Sequence, residues 1–450
     1  MRFQLFFDNC LVLISIFFCI QKCDGSHVKY KGCKVYQIEA KDESQIQKIK
    51  RFIKSFPTQI DVWSDSPQHC QLMVTKEQSI KLDAYLSKEN IQRKILIKDV
   101  QKAIDKELEE NDERVKQNVY SAFRRRRIFN YKRFNRFGDI LHELKRLQCR
   151  FKKKMEIMEI GRSYERRPLV VVKITKNVLN ECISNKKIVW IDGGVHSREW
   201  ISVAGAMWMI KELLISKKTS IQKLLETHVF YIAPVFNPDG YEYTFTDDRL
   251  WRKTRRPTNK KGCIGTDVNR NWNFKWGLDE KNKEPCGLTY HGEKPESEIC
   301  VQHFARLFRY IQPRLQSYWT LHSYGQLVYV PYSYTSKFSP YVSDLIQALF
   351  VFREKAKSRN NQFYGLGTTH VLENGLLLFG TSIDYMHGTL NITYSFNVEM
   401  RPSEATLGQN QNPTELFLLS PKSIVPASSE VFDGIIGTVE HIYGRTENQL

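Results

Sequence analysis

Residues 187–214 read KIVWIDGGVHSREWISVAGAMWMIKELL. Ile188 to Ile191 form an apolar, β-branched run, the signature of a buried strand. Gly193 and Gly194 close it, and from Glu199-Trp200 onward a long apolar stretch reads as a buried helix. His196 and Glu199 fall between strand and helix, three apart. On one turn both can reach a single ion, and Zn²⁺ takes imidazole nitrogen and carboxylate oxygen. An HxxE pair is weak evidence by itself, and the second copy, His370 to Glu373, is read as coincidence. What favours the first is its place at the end of a buried strand.

Working outward, residues 128–450 alternate strands and helices. PLVVVKIT (168–175) and HVFYIAPVFNPDG (228–240) are strands, the latter running into a Pro-Asp-Gly turn. YWTLHSYG (318–325) is a strand ending at a histidine, and ITYSFNVEM (392–400) one ending at a glutamate. SEICVQHFARLFRYI (297–311), SDLIQALFVFREKAK (343–357) and SEVFDGIIGTVEHIY (429–443) are helices. This order predicts an α/β domain with a mixed, mostly parallel sheet flanked by helices, and functional residues just past strand ends.

Residues 26–127 form a smaller unit. CKVYQIEA (33–40), QIDVWSD (59–65), QLMVT (71–75) and RKILIKDV (93–100) are strands; SQIQKIKRFIKSF (44–56) and KEQSIKLDAYLSKENI (76–91) are helices. The β-α-β-β-α-β order predicts a ferredoxin-like α+β domain. The charged segment 101–122 has few apolar residues and reads as a solvated connector helix. It ends at Arg124-Arg125-Arg126-Arg127, either a processing signal with cleavage after Arg127 or a polyanion patch.

At the amino terminus Arg2 precedes CLVLISIFFCI (10–20), too short to span a bilayer but suited to a signal peptide over 1–25; a short buried helix is the alternative. The expectation is a protein secreted to the extracellular space or a secretory vesicle, with no membrane anchor. The 450 residues (53.0 kDa) suffice for two domains, and 41% hydrophobic content excludes a disordered tail protein. The net charge of +19 suits a soluble surface or a heparin-like polyanion, the former preferred, and no nucleic-acid motif accompanies it. Of ten cysteines, an odd five fall in 128–450, so at least one has no partner there.

A third zinc ligand should come from another strand end, where His322 stands. A lone histidine there is more often a core residue, but with His196 and Glu199 a ligand role is the better reading. RLWRKTRR (249–256) and Asp267-Val268-Asn269-Arg270-Asn271-Trp272 cluster arginine beside asparagine, as a carboxylate site needs. Arg255 and Arg256 are left to the general basic surface. Cys263 and Cys286 bracket DVNRNW, which fits a disulfide holding a loop. Glu399 could be a general base of raised pKa or an ion-pair partner of Arg401 or another basic group; the sequence leaves both open. Asn391-Ile392-Thr393 is a glycosylation acceptor.

HSREW, RLWRKTR, DVNRNW, LHSYGQ, SID and Glu399 with Arg401, in this order, resemble the secreted zinc metallocarboxypeptidases of the pancreatic A/B family. The likeness covers nearly all of 128–450, and 26–127 resembles that family's inhibitory pro-domain. The resemblance implies one Zn²⁺ held by His196, Glu199 and His322, with Asp267 orienting His196. It implies that Glu399 is the base that activates water and that Arg252 polarises the scissile carbonyl. Asn269 and Arg270 would clamp the terminal carboxylate, and Arg198, Arg249, Ser323, Tyr324 and Ile383 would line substrate subsites. Apolar Ile383 implies a preference for apolar or aromatic C-terminal residues, while Ser333 and Asn397 make the pocket more polar than a strictly A-type one. The implied protein is a zymogen, expected to be monomeric, cut by a trypsin-like or basic-specific protease and acting on peptides with free C-termini. One stretch departs from the family. TTHVLENGLLLFGTSID (368–384) is about five residues longer than expected and has no tyrosine between Thr369 and Ile383, where the family carries a mobile one. Weakened binding rather than lost chemistry is expected from this. A polar insertion follows at 402–415. The rival reading is a catalytically impaired homologue that binds peptides or polyanions.

Overall fold

A computed structural model describes residues 27–56, 59–66, 69–116, 129–179, 185–403 and 416–447. The signal segment, Arg127 with the basic run, Cys182 and most of the 402–415 insertion lie outside them.

The first unit comprises β1 (Lys34–Glu39), α1 (Glu43–Ser55), β2 (Ile60–Asp65), β3 (His69–Val74), α2 (Lys76–Lys88) and β4 (Gln92–Ile97). The sheet order is β2-β3-β1-β4, antiparallel throughout, which is the ferredoxin-like arrangement expected. Asp42 and Thr75 cap the two helices by accepting from Gln45 N and Gln78 N. Ile46, Ile49 and Phe52 pack α1 onto the sheet.

The connector departs from expectation. Helix α3 (Val100–Lys116) is not solvated. Val100, Ile104, Glu107 and Asn111, three to four apart, form one buried stripe. Two of its four members are polar, so hydrophobicity alone hides the face. Asn111 is satisfied by the backbone of Phe134, and Glu107 by Arg249.

The second unit contains α4 (Phe137–Arg150), β5 (Met155–Arg162), β6 (Pro168–Ile174), β7 (Lys187–Asp192), α5 (Trp200–Ile215), α6 (Thr219–Thr227), β8 (His228–Ala233) and α7 (Pro238–Thr246). There follow α8 (Ile299–Ile311), β9 (Leu315–Gly325), β10 (Leu327–Tyr329), α9 (Val342–Asn360), β11 (Gly365–Gly367), α10 (Thr369–Leu372), α11 (Ser382–Gly388), β12 (Tyr394–Ser403) and α12 (Ile424–Glu447). Eight strands lie in the order β11-β10-β12-β9-β7-β8-β6-β5. The central four, β12-β9-β7-β8, are mutually parallel, and β6, β5 and the β10–β12 pairing are antiparallel. One face packs on α4, α5, α9 and α12, the other on α8 and α11, so the central strands are apolar on both faces.

Three boundaries differ from the sequence reading. Pro238-Asp239-Gly240 opens a helix rather than a turn: Asn237 caps it and Pro238 takes the first position. Strand β9 runs three residues past His322, and β12 four past Glu399. Both continue because they pair with each other there, Met400 with Ser323 and Ser403 with Gly325.

Candidate active site

Strand β7 ends at Asp192, and the chain reverses through Gly194 (φ +67°), where a side chain would meet Val203 at 2.8 Å. This turn brings His196 and Glu199 back beneath the first turn of α5. His322 and Glu399 are register neighbours on parallel β9 and β12. Their nearness is a sheet property that no sequence spacing displays.

His196 Nδ1 lies 2.7 Å from Glu199 Oε1, and His322 Nδ1 lies 3.0 Å from Glu199 Oε2 and 3.1 Å from His196 Nδ1. All three residues are buried, and their donor atoms lie within 4.8 Å of one another. Two imidazole nitrogens and one carboxylate are the donor set of a catalytic zinc centre with a position left for water or substrate. On the outer side, His196 Nε2 faces Asp267 Oδ1 at 3.1 Å. Asp267 also accepts from Arg252 Nη2 at 2.9 Å and from the Asn269 backbone at 2.9 Å.

The electrostatics are those of a site built for positive charge: burial opposes charge on His322, but the charge and hydrogen bond of Glu199 raise its pKa. Burial, then the charge of Arg252, lowers the pKa of His196 and keeps the imidazole neutral. Burial opposes charge on Glu199 and Asp267, but the neighbouring histidines for the first, and Arg252 with His196 for the second, hold both carboxylates below their usual range. For Glu399 burial dominates; with the nearby charge of Glu199 it pushes the pKa up to about 7. The Glu399 carboxylate accepts from Asn397 Nδ2 at 2.9 Å. Arg401 instead pairs with Glu430, its Nε 2.8 Å from Oε1, which removes Arg401 as the ion-pair partner of Glu399.

Asn269 and Arg270 sit in a single 3-10 turn, Val268–Arg270, both buried. Asn269 Oδ1 accepts from Ser382 N, and Arg270 Nη1 donates to Asn269 O. Gly380 (φ +66°) lies against this turn, where a Cβ would come 2.4 Å from Arg270 O, and its own carbonyl accepts from Trp272 N. The long segment 370–382 is thereby held against the 268–270 turn, with Leu376 to Phe379 half-buried and Leu378 N donating to Ser333 O. Ile383 and Ser333 are buried beside it. The His370–Glu373 pair takes no part: Glu373 accepts from Tyr329, and the pair joins no metal-type cluster among the described residues.

Arg198 and Arg249 meet acids of the first unit. Arg198 Nη1 donates to Asp61 at 2.8 Å and its guanidinium stacks on Phe417 at 4.2 Å. Arg249 makes a fork to Glu107, at 2.6 and 2.8 Å. Tyr324 hydroxyl donates to Gln71. These contacts were invisible to sequence reasoning, which had no means of pairing residues more than a hundred positions apart. Arg255, assigned to general surface, is stacked between Tyr243 and Trp251 at 3.5 and 4.4 Å. Cys263 and Cys286 are disulfide-bonded, and among the described residues Cys33, Cys149 and Cys300 are free thiols. Asn391 is exposed at φ +56°, just before β12.

Comparison with known proteins agrees with this geometry. Residues 140–434 match the zinc carboxypeptidase family and residues 36–107 the carboxypeptidase activation peptide. The chain belongs to the zinc carboxypeptidase family and is the zymogen of a metallocarboxypeptidase. It is 30% identical to carboxypeptidase A1 of Bos taurus over 92% of this chain and 94% of the relative. It is 32% identical to carboxypeptidase A6 of Mus musculus over 84% of this chain and 85% of that one. The fold is shared with carboxypeptidase A from Helicoverpa armigera (TM-score 0.80, 23% identity, 92% of this chain and 98% of that one). Among the described residues no helix is long and apolar enough to cross a membrane.

Proposed function

We propose that the chain is secreted, is cut after Arg127, and then removes apolar or aromatic residues from free C-termini. The observation that carries this is the convergence of His196, Glu199 and His322 beside Glu399, with Asn269 and Arg270 on the neighbouring turn. Zinc, when bound, polarises the scissile carbonyl and acidifies water. Glu399 takes a proton from the attacking water and delivers it to the leaving amine as the C–N bond breaks, returning to its starting state. Arg252, anchored by Asp267, steadies the carbonyl oxygen as it gains charge. Arg270 receives the terminal carboxylate through two charge-assisted hydrogen bonds, and Asn269 fixes its plane.

The 26–127 unit acts as inhibitor. Asp61 and Glu107 occupy the guanidinium groups of Arg198 and Arg249, and Gln71 occupies Tyr324, all assigned to substrate. Buried Ile383 supports the apolar preference, since Lys or Arg there would lack a counter-charge. Asn391 is a glycosylation site, its exposure favouring use. The surplus of positive charge supports weak affinity for heparin-like glycans.

The test is hydrolysis of a C-terminal Phe peptide, as free acid and as amide, by trypsin-treated protein. Turnover of the acid alone is expected. Equal rates on both overturn the exopeptidase reading, and no turnover of either favours the impaired peptide-binding homologue.

A further inference from the structure

The two ligand histidines present the same ring nitrogen inward. His196 Nδ1 and His322 Nδ1 face each other and Glu199, and both Nε2 atoms point away. For His196 the outer partner is Asp267. For His322 it is a hydroxyl: Thr320 Oγ1 lies 3.2 Å from Nε2. That hydroxyl has one proton, and Asp192 Oδ1 at 2.7 Å takes it. A carboxylate at this site is an acceptor only, so the Thr320 oxygen has only lone pairs to offer His322. His322 must then carry its proton on Nε2 and keep the Nδ1 lone pair for the metal.

The backbone builds this arrangement. Asp192 ends β7 and stands opposite Thr320 on β9 in the parallel register. Both residues have no solvent exposure. Asp192 Oδ2 accepts from Trp190 Nε1 at 2.8 Å, which fixes the carboxylate from its other side. Threonine is β-branched and stiff at χ1, so in the strand its hydroxyl has little freedom to leave.

We infer that Asp192 and Thr320 are positioning residues for zinc, a hydrogen-bonded relay that sets the tautomer and ring orientation of His322. His322 thereby receives indirectly, through a hydroxyl, what His196 receives directly from Asp267. The inference rests on His322 being a ligand, and it differs from that reading in what it predicts for residues that cannot themselves bind the ion. Outer partners of this kind are worth about 10–100-fold in metal affinity.

The experiment measures zinc affinity of the full chain by competition with a chromophoric chelator, for wild type, Thr320→Val, Thr320→Ser and Asp192→Asn. Thr320→Val keeps the shape and removes the hydroxyl; its zinc Kd should rise about 10–100-fold. Thr320→Ser restores the hydroxyl and should lie within about threefold of wild type. Asp192→Asn can place a donor where the hydroxyl needs an acceptor, and should raise Kd by a smaller factor. Cobalt-substituted Thr320→Val should show an altered visible spectrum, and Thr320→Ser the wild-type one. Wild-type zinc affinity in Thr320→Val overturns the inference, as does equal weakening in Val and Ser, which would mark a packing role. If Thr320→Val does not fold, unchanged affinity in Asp192→Asn overturns it. Loss of all zinc binding in His322→Ala, run alongside, separates failure of the relay from failure of the ligand assignment.

Discussion

Glu107→Gln isolates what holds the pro-domain over the catalytic unit. The Glu107 side chain has 0% exposure and its partner Arg249 4%. The substitution keeps the shape of Glu107 and removes its charge, leaving Arg249 buried with only the carbonyls of Arg198 and Phe417 as strong acceptors. Removing one member of a buried ion pair costs about 3–5 kcal/mol. The retained amide and the two carbonyls place the effect near the lower end, about 3 kcal/mol. Opening the interface rehydrates Arg249, so the penalty falls on the closed state alone. At 1.36 kcal/mol per decade the open fraction of uncut protein rises on the order of 100-fold. Glu107 faces the catalytic unit and is absent from the ferredoxin-like core of Tyr36, Ile38, Leu72 and Leu82, so that domain keeps its own stability. The assay is basal hydrolysis of a C-terminal Phe peptide by uncut protein, followed by the same assay after trypsin. Uncut Glu107→Gln should gain about two orders of magnitude, up to the rate of the processed enzyme. Processed protein, which lacks residue 107, should match wild type. An uncut variant as silent as wild type would refute the role given to this pair.

Three further outcomes follow from the site. His196→Ala or His322→Ala should remove metal and activity together, because two ligands cannot hold a catalytic centre; metal analysis retaining one zinc in the double variant would sink the ligand set. Arg270→Ala should mainly weaken binding of free-acid peptides, by about 2–5 kcal/mol, whereas Arg252→Ala should mainly lower kcat, by about 2.7–4 kcal/mol; steady-state kinetics giving both the same KM-against-kcat split would contradict the separate roles. The raised pKa of Glu399 means that its basic form fills only as pH approaches about 7. Bound zinc beside Glu199 draws this value down, so the acid limb of kcat/KM should fall between the ordinary 4.5 and about 7, and a rate still climbing past pH 8 would exclude Glu399 as base.

The sequence made the sheet legible because its central strands are buried on both faces and therefore nearly pure runs of Ile, Val, Leu and aromatic residues. Residues 188–191 and 229–233 carry that pattern undiluted, whereas 394–400 interleaves Ser395, Asn397 and Glu399 with its apolar residues. The metal-type cluster was legible for a related reason. Polar residues in such runs are costly, so His322 stands out against its neighbours, and His196 and Glu199 by their place just past a buried strand. Their pairing was not legible, because His322 and Glu399 meet through strand register and both strands continue beyond them. Boundaries failed where the local signal was ambiguous: Asn237-Pro238-Asp239-Gly240 has the composition of a turn, yet a capping asparagine and an N1 proline equally begin a helix.

The misreading of α3 has a different cause, and it bears on latency. A polar helix looks solvated when its polarity is judged without its partner. Glu107 is acceptable in the interior only because Arg249 arrives from the other domain, and Asp61 is matched by Arg198 in the same way. Charges matched across an interface are poor stabilisers but specific ones: each is costly without its partner and is fully hydrated once the surfaces separate. An apolar interface of the same size would leave the released pro-domain sticky and the cleft covered by a hydrophobic surface. Here the ion pairs flank an apolar cluster that joins Trp63, Met73, Leu96, Val100 and Ile104 of the first unit to Leu250, Tyr324 and Phe417 of the second. The guanidinium groups of Arg198 and Arg249 are those proposed for substrate subsites, so the acids of the pro-domain would compete with a bound peptide for them. A zymogen built this way stays closed while the acids are tethered at high effective concentration, and loses that advantage once the tether is cut.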